Sequence, residues 1–197
     1  MRTTGAQTPT RTFWWDRARP VDADVHPLRA VIFDADSALA DIESVDGDYA
    51  PKAGLIDLVM SLFVAGIWVA VVSTRDRERT ETLVRQLVGE GLVETIVSGD
   101  DLDDPGCDVE LYRLALWELG VTPQSALAVE GSERGLRAAS AAGLPTMLVT
   151  NGDGAGYEFT DAAAVRSNYA GGDPLSAGGC RQLHRRWWIQ QKRSQAA

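Results

Sequence analysis

Three short stretches of this chain are apolar without a break and then stop at an acid or a hydroxyl. They are Ala30-Val31-Ile32-Phe33 before Asp34, Trp68-Val69-Ala70-Val71-Val72 before Ser73, and Ala126-Leu127-Ala128-Val129 before Glu130. A strand with one wetted face alternates apolar and polar residues, so an unbroken run marks a strand covered on both faces. Two further runs, Thr95-Ile96-Val97 and Thr146–Val149, bring the predicted strands to five, the second of them starting at Ile67.

Between the strands the apolar spacing becomes helical. Residues 54–65 place Leu55, Leu58, Val59, Leu62 and Phe63 on one face before Gly66, and 76–88 do the same with Leu83, Val84, Leu87 and Val88. Helices are also predicted over 108–119, closed by Gly120, and over 133–142, closed by Gly143. Strictly alternating strands and helices predict a parallel sheet with helices on both faces, because parallel neighbours need a crossover. The expected fold is therefore α/β: a three-layer Rossmann-like sandwich with a mainly parallel sheet. Ligands bind such sheets beyond the carboxyl ends of the strands. The loops after Phe33, Val72 and Val129 are those that carry acids and hydroxyls, and the first is expected to run to about Ala53.

A length of 197 residues suits one domain with tails. The expected division is an arm over 1–27, a core over 28–170, and a loop with a helix over 171–197. The arm carries Phe13, Trp14 and Trp15, which are expected to pack on something. In the last segment Leu183-His184-Arg185-Arg186-Trp187-Trp188-Ile189 would place Leu183, Trp187 and Trp188 on a shared side. Docking on the domain or association into a homo-oligomer through these aromatic tails is the expectation. A net charge of -9 argues against the basic surface that nucleic acid requires. No run approaches the roughly 18 apolar residues of a membrane span. Cys107 and Cys180 match no metal or disulfide spacing, and a reducing cytoplasm is the expected setting. His26 and His184 show no ligand spacing either.

Residues 30–37, Ala-Val-Ile-Phe-Asp-Ala-Asp-Ser, resemble motif I of the haloacid dehalogenase superfamily of phosphohydrolases. Trp68 to Thr74 is similar to motif II, and Ala126 to Ala139 followed by Ala142-Gly143 to motif IV of its phosphoglucomutase-like branch. The resemblance covers roughly 29–150 and includes the helix bearing Tyr112. It implies that Asp34 is a nucleophile forming an aspartyl phosphate and Asp36 the general acid and then base. It further implies that Ser73, Thr74 and Arg75 bind phosphate. Mg²⁺ would be held by Asp34, by Asp36 through its backbone carbonyl, and by Glu130.

Two departures weaken the implied machinery. The motif III lysine falls at Gly106, and the motif IV acid at Gly131; only Lys52 and Lys192 occur as lysines. Arg75 is the replacement cation to test, and Glu130 or Glu133 the replacement acid. Metal binding is accordingly expected to be weak or absent. Only 39 positions separate Asp34 from Ser73, which leaves no room for a helical cap. An open site suits a macromolecular or partner-presented phosphate. Two functions follow: a Mg²⁺-dependent phosphatase working through Asp34, or a catalytically impaired relative that binds or regulates a protein partner.

Overall fold

The computed structural model describes residues 26–41, 49–89, 91–104, 108–150 and 161–195. Strand β1 (Ala30–Asp34) runs into a single π-helical turn, Ala35–Leu39. Then follow α1 (Leu55–Val64), β2 (Trp68–Val72), α2 (Arg77–Leu87), β3 (Thr95–Val97) and α3 (Asp108–Leu119). The chain continues through β4 (Ala126–Glu130), α4 (Glu133–Ala141), β5 (Thr146–Val149), β6 (Ala164–Arg166) and α5 (Ala177–Gln195). All six strands pair in parallel, in the order β3-β2-β1-β4-β5-β6. The α/β three-layer expectation holds.

Successive side chains of a strand point to opposite faces, and here both faces are dry. Val31, Phe33, Val69, Val71, Leu127 and Val129 pack against α1, α2 and the start of α5. Ile32, Ala70, Val72, Ala126 and Ala128 face α3 and α4. The alanines on this second face let those helices lie close to the sheet. That explains why the strands read as unbroken apolar runs.

Pairing of Phe33 with Val129 sets Asp34 and Glu130 side by side at the carboxyl ends of the two central strands. By alternation both carboxylates point to the α3 side, with Ile32 and Ala128.

Three elements depart from the sequence expectations. The segment after Phe33 turns at once into the π-helical turn, capped by Asp34, rather than running as plain loop. The sheet has a sixth strand, β6, whose three residues carry no buried apolar run and so gave no signal. The C-terminal helix begins at Ala177, six residues before Leu183. It docks on the domain: Ala177 N–H donates to Ser61 Oγ at 2.9 Å, Cys180 is fully buried, and His184 Nε2 meets the Gln124 carbonyl at 2.9 Å. Leu183 packs on the core, and Trp188 stacks edge-on to His184. The Phe13-Trp14-Trp15 cluster lies outside the described residues.

The chain after β6 straps the active-site turn to the core. Tyr169 is fully buried, donates to the Ala38 carbonyl at 2.6 Å, and meets Phe33 edge to face. The Ala53 carbonyl accepts from both Tyr169 and Ala170 N–H. Gly54, at φ 83°, lies so near that a β-carbon on it would stand 2.6 Å from the Ala170 nitrogen. Tyr169→Phe removes the side-chain donor to the Ala38 carbonyl. A loss of about 1–3 kcal/mol is expected from chemical denaturation.

Candidate active site

Asp34 caps the turn that follows it. Its Oδ2 accepts from Ser37 N–H at 2.8 Å and Ser37 Oγ–H at 2.6 Å. Burial pushes its carboxyl up to about 6, assisted by the charge of Asp36 and opposed by the Ser37 hydrogen bonds. A value of about 6 leaves it mostly ionised at neutral pH, the state that the role implied by the motif resemblance would require.

Asp36 turns the other way. Its Oδ1 pairs with Arg75 Nε at 2.5 Å and its Oδ2 accepts from buried Ser73 Oγ at 3.1 Å. Arg75 also reaches Tyr49 Oη at 3.0 Å. Two of the groups expected to bind phosphate, Ser73 and Arg75, thus form one cluster with Asp36, whose carboxylate sits on the donors that a phosphoryl group would use. Thr74 lines the same cavity of about 220 Å³ as Asp34, Asp36 and Glu130. A separate open groove of about 700 Å³ is lined by Arg75, Tyr49 and Arg79.

Glu130 is the most confined acid, 2% exposed. Oε1 accepts from the Tyr112 hydroxyl, while buried Oε2 has no hydrogen-bond partner. Burial first, and the charge of Asp34 second, push its carboxyl up to about 8. Glu133 lies on the outer face of α4 paired with Arg137, so it does not replace the missing acid. Gly131 N–H donates to Ser37 Oγ at 2.8 Å. Gly106 lies outside the described residues.

Mg²⁺ is the cation implied by the motif resemblance. Among the described residues no three carboxylate, imidazole or thiol groups form a cage. The Asp34–Glu130 pair nevertheless suits it: the charge of Asp34 raises the proton affinity of buried Glu130, and among the described residues Glu130 Oε2 is a buried oxygen lacking a hydrogen-bond partner. Mg²⁺ takes one or two carboxylates, keeps waters, and completes its shell with substrate phosphate. The Asp36 carboxylate faces Arg75 and Ser73, although its Oδ1, ion-paired with Arg75, has no hydrogen bond among the described residues.

Several contributors were not singled out from the sequence. Tyr112 is the partner of Glu130, and Ser37 binds Asp34. Arg134 grips Asp108 with two nitrogens at the cavity rim. Gly135 has no room for a side chain, because a β-carbon there would overlap the Glu130 carboxylate. The residue three places after a strand-end Asp is a capping position, the one signal that could have pointed to Ser37. Gly135→Ala should push Glu130 off Tyr112 and destabilise the fold by about 1–3 kcal/mol, read by thermal melting.

In a parallel sheet whose two central strands end in acids, the carboxyl ends of the strands are the place for a ligand site. The family model for haloacid dehalogenase-like hydrolases matches residues 42–149, more than half of the chain, and the chain belongs to this family. The matched residues begin after Asp34 and Asp36. The chain is 36% identical over 125 residues to the protein CbbY of Cereibacter sphaeroides, covering 62% of this chain and 51% of that protein. It is 34% identical over 116 residues to a CBBY-like protein of Arabidopsis thaliana, covering 58% and 36%. The chain thus spans about half or less of the length of these curated relatives. Among solved structures, CbbY from Rhodobacter sphaeroides in complex with phosphate superposes with TM-score 0.65 at 23% identity, over 78% of this chain and 99% of that one. A β-phosphoglucomutase from Clostridium difficile gives 0.66 at 12% identity, over 82% and 99%. These likenesses support the fold. No helix of the described residues is long and apolar enough to cross a membrane.

Proposed function

We propose that this chain is a phosphate-ester hydrolase that attacks through Asp34, with Mg²⁺ held by the Asp34–Glu130 pair. The observation that carries the reading is that pair: adjacent acids at the central strand ends, with Glu130 Oε2 buried and unpartnered. The cation would offset phosphate charge and the mutual repulsion of the two acids.

The other steps belong to the chain's own residues. A phosphoryl group entering the cavity takes over Ser73 and Arg75 from Asp36. The Asp34 carboxylate attacks phosphorus as the bond to the leaving oxygen breaks, and that oxygen takes a proton from Asp36, which enters this step in its acid form. Water then attacks phosphorus and gives a proton back to Asp36 as the bond to Asp34 breaks, releasing inorganic phosphate and the Asp34 carboxylate. The groove past Arg75 leaves room for a large leaving group, which fits a macromolecular or partner-presented phosphate. Sugar phosphates are the first small substrates to try, since CbbY has been solved with phosphate and with xylulose-(1,5)bisphosphate. A soluble cytoplasmic setting accords with this chemistry, and buried Cys180, pushed up to about 12 by burial, is inert there.

The test is release of inorganic phosphate from sugar phosphates and phosphopeptides with Mg²⁺, comparing wild type with Asp34→Asn. Equal rates for the two would sink the proposal. The second reading, a binding or regulatory protein without turnover, draws support from Gly131 standing where an acid is expected, with Ser37 filling its space. It predicts phosphate binding without release.

A further inference from the structure

We propose that Ser37 takes the place of the side chain missing at position 131 and is a positioning residue for Asp34, bracing it against the β4–α4 loop. The inference rests on the reading of Asp34 as the nucleophile. A serine hydroxyl has one proton to give, and that of Ser37 goes to Asp34 Oδ2 at 2.6 Å. Its lone pair takes the Gly131 N–H at 2.8 Å. The backbone N–H of Ser37 adds a second bond to the same Oδ2 at 2.8 Å. Three contacts therefore converge on one residue that joins the β1 turn to the β4–α4 loop, 94 positions away in sequence.

The fit is exclusive. A β-carbon on residue 131 would stand 2.5 Å from the Ser37 carbonyl oxygen and 2.7 Å from its β-carbon. Gly131 is not in the left-handed region, so its own backbone would accept alanine. The three atoms nearest to such a β-carbon all belong to Ser37, its carbonyl oxygen and carbon as well as its β-carbon. Positions 37 and 131 therefore share one notch: the backbone and β-carbon of Ser37 occupy the space that a side chain at 131 would need, and its hydroxyl binds the Gly131 N–H from there. Two consequences follow. Asp34 attacks through Oδ1, because Oδ2 already holds two hydrogen bonds. The cation site contains two carboxylates and no third, as long as Ser37 is present.

A double-mutant cycle tests the exclusion without reference to catalysis. In the full chain with EDTA, Gly131→Ala should lower the melting midpoint by about 5 °C or more, and Ser37→Gly in the same chain should recover part of that loss, because it removes the β-carbon contact and leaves the carbonyl one. If Gly131→Ala costs nothing, or costs the same with and without Ser37→Gly, the shared notch is refuted. Should Ser37→Gly melt without cooperativity, the same cycle runs on Ser37→Ala, where the loosened turn should recover part of the loss and additivity again refutes it. Calorimetric Mg²⁺ titration then reads the notch itself. Ser37→Gly with Gly131→Asp should bind Mg²⁺ about tenfold more tightly than wild type, since affinity follows the count of charged ligands. Equal affinities would show that position 131 does not face the cation, which also overturns the proposal. A wild type without phosphatase turnover would count against the hydrolase reading and leave both of these measurements standing.

Discussion

Asp34→Asn should reduce phosphate-ester turnover by at least ~1000-fold while making the protein more stable, because the residue is a nucleophile held in a costly place. The amide matches the carboxylate in shape. Its oxygen, placed where Oδ2 stands, can accept from both the Ser37 N–H and the Ser37 hydroxyl, so the capped turn survives. What disappears is a negative charge that burial and Asp36 oppose, as the upward push of this carboxyl to about 6 records. At pH 7.5 relief of that charge should stabilise the metal-free fold by about 1–3 kcal/mol. Glu130 would also lose its repelling neighbour. Activity and melting midpoint moving in opposite directions is the signature of a functional rather than a structural acid. A variant that loses both would identify Asp34 as a fold determinant instead.

How much of this could be read from the residues depends on what kind of interaction is involved. The strands β1, β2 and β4 were legible because burial on both faces forces unbroken apolar runs, and the acids at their ends had nowhere to go but the ligand edge. The residues of one strand-end cluster, Asp34, Asp36, Ser73 and Arg75, were therefore found together. Contacts made across the sheet by small or terminal groups left no such trace. The bond from Tyr112 to Glu130, the Ser37 bridge to Gly131, and the Tyr169 strap on Ala38 each join segments far apart in the chain. Neither composition nor periodicity encodes their distance. Strand β6 was missed for a different reason: at the sheet edge its three residues bury too little to impose a pattern.

Gly131 shows how a sequence reading can be right about a residue and incomplete about its meaning. The absence of an acid there is a fact of the sequence, and it reads as a loss. In the folded chain the space is occupied, and the neighbouring turn is closed by the group that occupies it. Loss of an expected ligand and gain of a brace on the nucleophile are then the same event. Only the packing distance between positions 37 and 131 distinguishes this from an empty notch.

In metal-free protein, folding stability should fall as pH rises from 5 to 8.5, opposite to the usual behaviour of carboxylates that are stabilised by pairing. Glu130 carries its proton up to about pH 8 in the folded chain, against an ordinary value of 4.5, and Asp34 up to about 6 against 3.8. Across that window the folded state binds more protons than the unfolded one, so stability decreases with pH. The contribution is complete below the ordinary carboxyl values and is gone once the pH passes about 8. Since the two acids share one cavity, the combined loss should be on the order of a few kcal/mol rather than the sum of two isolated shifts. Glu130→Gln keeps an acceptor for the Tyr112 hydroxyl and removes the titration. It should flatten most of the slope and make the variant more stable than wild type at pH 8. Mg²⁺ should raise the wild-type midpoint more at pH 8 than at pH 5.5, because at the lower pH protons compete for the same oxygens. Denaturant titrations in EDTA at four pH values decide the matter. A wild-type slope of opposite sign, or one that Glu130→Gln leaves intact, would mean that Glu130 is ionised in the fold and that the cavity already holds its compensating charge.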